Sequence, residues 1–376
     1  MSFDWPWPPD YGGVIDVYYR IDALLARGVA VRLHVVAPDD RSPEVPPPWV
    51  AAGIDVFHHR RRGGWSALSR KPYIVNSRLV GSLLPNLANG APVILFEGVH
   101  CAGWLGHPRL GELAQWVRVH NVEADYYAQL AEAPTTWRRR IYYREEARRL
   151  RGYERRVLAQ ADLLLPASAQ DEPWCETVNP GKVFGHRSYV STGAVDVLPG
   201  RGDYALFHGA LHVDDNEAAA RTLMRVFEGM PAGRRLVVAG RAPSAKLKAA
   251  IDLADRVDLM ESPSIAAMRG LIRNAQVVVL RAHHAAGYKI KLIESLALGR
   301  HVVANGAMYQ GAPPLRAALH PAETDDDYRA AIDAIWEREV SPADVAARRR
   351  MLRPYLRDGL AEAFVEKLRA ETFKKN

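Results

Sequence analysis

Cysteine is scarce: Cys101 and Cys175 are the only two in 376 residues. They lie far apart and without metal-ligand spacing, which argues for a reducing compartment and against a structural zinc. Long apolar runs are missing as well. No stretch approaches the roughly 20 residues that a membrane span needs, so the chain reads as soluble or surface-associated. No acidic group forms a convincing cation site, since Asp214 and Asp215 are neighbours at a helix start. A disorder signature is absent too, with 48% hydrophobic and 25% charged residues.

What remains is a globular chain long enough for two domains of ordinary size. Its formal net charge of +7 implies an anionic partner: nucleic acid, anionic lipid or a phosphate-bearing substrate. No nucleic-acid recognition motif supports the first of these. Arginines crowd at Arg60, Arg61 and Arg62, and again at Arg138, Arg139, Arg140, Arg144, Arg148, Arg149, Arg151, Arg155 and Arg156. The second group falls on a long helix spanning 136–161 with few acidic neighbours. It is either a solvated face or a membrane-surface face, with Trp65, Trp137, Tyr142 and Tyr143 at the interface.

The chain is organised around GYKIKLIESLALG, Gly287 to Gly299, between the apolar runs QVVVL and HVVAN. By period this is strand, loop, helix and strand, with Ile290, Ile293, Leu296 and Ala297 on one helix face. Gly287 leaves amides uncovered ahead of the helix, where the macrodipole favours an anion. Lys289 and Lys291 can supply ammonium groups to a diphosphate. Glu294, a turn further in, can accept hydrogen bonds from a ribose. Solvated lysines and a surface glutamate are the ordinary alternative.

Elsewhere the pattern alternates strand and helix, which predicts parallel sheets covered on both faces. Strands are read at 29–37, 54–57, 93–98, 116–127, 162–168, 204–211, 234–240 and 257–261. A helix or its start is read at 70–84, with Tyr73, Asn76 and Arg78 as polar candidates. Glu97, His100, His120, Asn121, Gly209 and Arg241 all follow strand ends, the positions that face a ligand crevice in doubly wound sheets. Gly12 and Gly13 open a helix and could let backbone approach a ligand. Phe3 and Asp4 read as the tail of a first strand whose remainder is missing, through a start set too far downstream or a domain that lacks it.

The segment GYKIKLIESLALGRHVVAN resembles the donor-binding segment of family-4 glycosyltransferases of the GT-B fold, which often carries G-x-K-x-K-x-x-E. H-N-x-E from His120 and the glycine pair at Gly12 and Gly13 are similar to two further family segments. The resemblance implies two Rossmann-like parallel-sheet domains facing a cleft, at 1–200 and 201–345, with C-terminal helices over 346–376 crossing back to the first. It implies a nucleoside-diphosphate sugar as co-substrate and no cofactor, with Gly12, Gly13, Gly287, Lys289, Lys291 and Glu294 around the donor; by their strand-end positions, and not by a motif match, Gly209 and Arg241 join this donor set. His120 would lie near the transferred sugar, and Tyr73, Asn76, Arg78, His100 and Asn121 on the acceptor side. Transfer would be metal-independent and retaining; were it inverting, Glu97 or His120 would be the base. The expected acceptor is a lipid-linked or polysaccharide-precursor glycan at the cytoplasmic face of the membrane. Two departures stand out: the family's sugar-contacting glutamate is matched by Ala286, and its diphosphate arginine is replaced by Ala210, Leu211 and His212. A basic nucleic-acid protein and a non-catalytic scaffold of transferase type are the alternatives.

Overall fold

The structure is a computed structural model and describes residues 1–9, 12–39, 48–51, 53–64, 69–89, 91–132, 136–284 and 287–375. The chain divides into two compact units, Met1–Tyr189 with Gly359–Asn376, and Val190–Asp358.

In the first unit, β1 (Arg32–Ala37) pairs in parallel with β2 (Asp55–Arg60). A second parallel sheet has the order β3 (Val93–Glu97), β4 (Ala114–Val119) and β5 (Leu163–Pro166). Every residue of β4 and β5 is buried, as strands covered on both faces require. Met1 and Ser2 lie between the two sheets. Ser2 donates its amide to the His34 carbonyl at 2.7 Å and accepts from the Val36 amide at 3.0 Å, while the Met1 carbonyl accepts from the Glu97 amide at 3.0 Å. Two residues thus carry backbone pairing across the position of the expected opening strand.

Four helices matter for function here: α1 (Gly12–Leu25), α2 (Tyr73–Asn76), α3 (Glu123–Glu132) and α4 (Trp137–Leu158). The helix read over 70–84 is interrupted after Asn76. There the hydrogen bonds shorten to i,i+3, with Arg78 donating to Val75 and Leu79 to Asn76. The strand read as far as Tyr127 stops at Val119, because Glu123 already begins α3. Two carboxylates of α4, eight residues apart and so on one face, satisfy the free amides at two helix starts. Glu154 accepts from Glu123 and Ala124, both at 2.9 Å. Glu146 accepts from Tyr73 at 3.0 Å and from Ile74 at 3.2 Å.

The second unit holds one parallel six-stranded sheet of order β11-β10-β9-β6-β7-β8. Its strands are β6 (Ala205–His208), β7 (Leu236–Gly240), β8 (Val257–Glu261), β9 (Val277–Leu280), β10 (His301–Ala304) and β11 (His320–Pro321). Around it lie α5 (Asp214–Glu228), α6 (Ile290–Leu298) and α7 (Pro342–Leu352), and the chain ends in α8 (Arg357–Lys375). The unit starts at Val190 rather than at 201 because Val190 and Val195 belong to its apolar core. It runs to Asp358 rather than to 345 because Leu352 and Leu356 do too. Phe364 and Val365 of α8 pack with Trp116, Leu163 and Leu165 of the first unit.

Burial, and then the neighbouring Glu154, pushes the Glu123 carboxyl up to about 8. Burial likewise raises Glu154 to about 7, although the amides of Ala124 and Glu123 oppose it. Carboxyls raised on folding contribute stability that is complete below their ordinary pKa and is lost as pH climbs through about 7 to 8. Thermal denaturation is therefore expected to show falling stability between pH 6 and pH 9, and Glu123→Gln is expected to gain a few degrees at the alkaline end. A melting temperature independent of pH over that range would contradict this.

Candidate active site

The second unit changes direction between β6 and β9: β7 and β8 lie to one side of the pair, β10 and β11 to the other. In open parallel sheets ligands bind beyond the carboxyl ends of the strands at such a switch point. Gly209 follows β6 there, and the loop from Arg281 into α6 follows β9. That loop is pinned from two sides. Asn305 accepts from the Ala282 amide at 3.1 Å and donates to its carbonyl at 2.7 Å, and Asp215 accepts from the His283 amide at 2.9 Å. Gly240 is required by close approach, since a Cβ there would come within 1.8 Å of the Gly209 carbonyl oxygen. Gly287 has φ +74°, which turns the chain into α6. Ala286, the position of the missing family glutamate, lies outside the described residues.

No side chain caps the amino end of α6, where Lys289 is the first flanking residue. Burial lowers the Lys289 ammonium despite the opposing charge of Asp215. Lys291 reaches back over the Phe207 ring, 5.3 Å from its centroid, and donates to Asn216 Oδ1 at 2.7 Å. Burial and then Lys289 lower it to about 8. Glu294 accepts from the Ser191 hydroxyl at 2.5 Å, and burial raises its carboxyl. Beneath them His208 donates to Ser295 Oγ at 2.8 Å, and Ser295 donates to the Lys291 carbonyl at 2.7 Å. Arg241 is exposed at the end of β7, its carbonyl accepting from Leu211 at 3.0 Å. The end of α6 thus gathers helix amides, two ammonium groups and a carboxylate pre-oriented by Ser191.

In the first unit Gly12 and Gly13 open α1, whose Val14, Val17, Ile21 and Leu24 are buried. The same inner side carries Asp16 and Arg20 into a buried charge network. Arg118, the penultimate residue of β4, donates to Asp16 at 2.8 Å and to the Leu165 carbonyl at 3.2 Å, and also bonds the His186 carbonyl. Asp16 also accepts from the Tyr189 amide at 2.7 Å, and Arg20 is paired with Glu97. Burial alone would raise Asp16, but Arg118, Arg20 and His120 hold it well below the usual carboxylate range. Glu97 is also lowered against its burial, by Arg20 and by the hydrogen bond from His120.

Glu97 and His120, the candidate bases for an inverting transfer, lie next to each other. His120 Nε2 bonds Glu97 Oε2 at 3.1 Å while Nδ1 lies 3.7 Å from Asp16 Oδ2, so both ring nitrogens face carboxylates. The Arg78 guanidinium is buried and donates to the Phe3 carbonyl at 3.1 Å and to the Ile74 carbonyl at 2.7 Å. Tyr73 and Asn76 are half-buried on α2, Tyr73 lying under the Arg61 guanidinium at 5.2 Å. His100 rests against Phe3 with ring centroids 5.3 Å apart, its Nδ1 buried without a partner, and burial keeps it neutral. Asn121 reaches Glu123 at 3.5 Å. Asp16, Arg20, Arg118 and Ser191 were not singled out from sequence. The signal for Arg118 was present: an arginine inside the apolar run WVRV must find a counter-ion.

One ligand atom each from Asp16, Glu97 and His120 lie within 4.8 Å of one another, the spacing of a cation site. Arg20 and Arg118 already neutralise the two carboxylates there, so a metal ion would have to displace a guanidinium. Removing one partner of such a network strands a buried charge. Arg118→Met is therefore expected to destabilise the first unit by about 3–5 kcal/mol in urea unfolding. A loss below about 1 kcal/mol, the worth of an exposed pair, would contradict the burial argument.

Residues 202–337 match the family described as Glycosyl transferases group 1. Among solved structures, Anabaena HepE in complex with UDP is similar with a TM-score of 0.67 at 10% identity, over 98% of each chain. The trehalose-6-phosphate structure from E. coli bound with UDP-2-fluoro glucose is similar with a TM-score of 0.61 at 12% identity, over 98% of each chain. The α,α-trehalose-phosphate synthase (UDP-forming) from Burkholderia xenovorans, in complex with glucose-6-phosphate, gives 0.59 at 13% identity, over 98% of this chain and 99% of its own. No curated protein sequence matches this one. At such identities the structural likeness carries the fold, and the family match concerns residues 202–337. The chain has the GT-B fold, and its residues 202–337 match a group 1 glycosyltransferase domain.

Proposed function

We propose that the protein moves a sugar from a nucleoside-diphosphate sugar, UDP-linked as in the ligands of HepE and the E. coli structure, to a glycan or lipid-linked acceptor. The observation that carries this reading is the start of α6, where Lys289 and Lys291 stand at the positive end of a helix and Glu294 is held by Ser191. The ammonium groups and helix amides would stabilise the diphosphate as the bond to the anomeric carbon breaks, without a metal ion. Ser191 holds the Glu294 carboxylate in place to accept from the ribose hydroxyls.

Retention fits the state of the first unit. In a same-face transfer the acceptor oxygen bonds the anomeric carbon as the phosphate oxygen leaves, and that phosphate takes the acceptor proton. No protein base is then needed, and Glu97 and His120 have their polar atoms turned to each other and to Arg20 and Asp16. In this reading Gly12 and Gly13 face the donor, Arg241 adds positive charge beyond β7, and Tyr73, Asn76, His100 and Asn121 line the acceptor side.

The acceptor is proposed to be presented at an anionic membrane on the cytoplasmic side. At the start of α4, Trp137 is 67% and Ile141 58% exposed, among exposed Arg138, Arg139, Arg140 and Arg144. By helical spacing Trp137, Arg140, Ile141, Arg144 and Arg148 share one face. Apolar tips between arginines suit lipid headgroups better than a nucleic acid, which would leave Ile141 unused.

Turnover of UDP-sugars is the direct test, and Ser191→Ala is expected to raise the donor KM about fivefold or more with little change in kcat. Because Lys291 loses its proton near pH 8, the donor KM should also rise above that pH. No turnover of any nucleoside-diphosphate sugar, with no binding of the free diphosphates, would overturn the assignment. For the membrane, co-sedimentation with phosphatidylglycerol vesicles is expected for the intact chain and to fall at least tenfold in Trp137→Ala/Arg140→Glu. Equal binding to phosphatidylcholine vesicles would contradict it.

A further inference from the structure

A cavity of about 210 Å3 opens in the second unit, at the amino ends of β10 and β11. This is the opposite end of the sheet from Gly209 and the loop after β9. Its polar walls are His301, His320, Arg338, Asp344 and Arg348, with Met351 among its apolar ones. Arg348 fixes one wall: it donates to the carbonyls of Leu296 at 3.3 Å, Gly299 at 2.5 Å and Arg300 at 2.7 Å, closing the carboxyl end of α6.

The charges do not balance. Two guanidinium groups face one carboxylate, and Asp344 is largely spoken for. It accepts from the Ser341 amide at 3.1 Å and from the Ser341 hydroxyl at 2.8 Å, and meets Arg338 only at 3.3 Å. Arg338 is 52% exposed and makes no other side-chain bond among the described residues. His301 donates through Nε2 to the Arg338 carbonyl at 3.0 Å, and the ring of His320 lies 5.7 Å from it. Neither nitrogen of His320 has a hydrogen-bond partner among the described residues. Burial and the two arginines keep both imidazoles neutral, so they can serve as donors without adding charge.

We propose that this cavity is a second anion site, taking inorganic phosphate or a small phosphate monoester between Arg338, His320 and the exposed edge of Arg348. The planar guanidinium fork suits a phosphate oxygen pair, and the apolar wall at Met351 suits the carbon of an ester. The site would sit on the carboxyl end of the helix whose amino end carries Lys289 and Lys291. Its occupancy does not depend on the sugar-transfer reading, since none of its residues belongs to that proposal.

Isothermal titration with inorganic phosphate and with glycerol phosphate tests it on the full chain. Binding is expected for the wild type and for Lys289→Ala/Lys291→Ala, which removes the anion-attracting start of α6. It is expected to weaken at least about tenfold in Arg338→Gln, the loss of one charge-assisted hydrogen bond. The bond to His301 comes from the Arg338 backbone, so that variant keeps its structural contact; His320→Ala should weaken binding as well. The tighter of the two titrants identifies the source of the phosphate. Absence of binding to the wild type, its loss in the lysine variant, or unchanged affinity in both Arg338→Gln and His320→Ala would overturn the site.

Discussion

Two lysines stand at the positive end of α6, buried enough that both ammonium groups are lowered although Asp215 opposes the shift. An ammonium group near a helix amino terminus meets the macrodipole with the wrong sign. Burial adds to the cost, and it lowers both Lys289 and Lys291. Compensation for Lys291 comes from one amide oxygen, one ring face and the charge of Asp215. Local rules broken at a helix start mark candidate functional sites, and the positive charge gathered here suits an anion. The pinned loop after β9, the turn at Gly287 and the contact of Gly240 with Gly209 all serve to hold this end of the sheet open in one shape.

The first unit solves the opposite problem. Its charges are buried and fully partnered: Asp16 lies between Arg118 and Arg20, and Glu97 between Arg20 and His120. Such a network adds little net stability over an apolar core but penalises every arrangement in which one partner strays. It joins α1, β3, β4 and the segment ending at Tyr189, and so fixes the orientation of His120. Rigidity of this kind suits the acceptor-presenting role proposed above, in which the departing phosphate would take the acceptor proton.

The stretch around Glu294 was legible in the sequence because its signals are local: period, glycine, and charges within one turn. Strand positions were legible for the same reason, through continuous apolar runs such as VVVL and LVVAG. The charge network was not, because its partners are far apart in sequence; Asp16 and Arg118 are separated by 102 positions. Glu97 and His120 were correctly placed at strand ends, but that each would be consumed by the other depended on Arg20 and Asp16 arriving from α1. Ser191 escaped for a different reason. It precedes the first strand of its unit, in a stretch that reads as loop, although Val190 and Val195 beside it enter the core.

Proton uptake on binding a nucleoside diphosphate reports most directly on the lysines at α6. At pH 8, where Lys291 is close to half ionised in the free protein, UDP binding measured by calorimetry in buffers of different ionisation enthalpy should take up to about half a proton. That uptake should vanish in Lys291→Met. UDP binding with no proton uptake, or with the same uptake in the variant, would show that the diphosphate is held elsewhere.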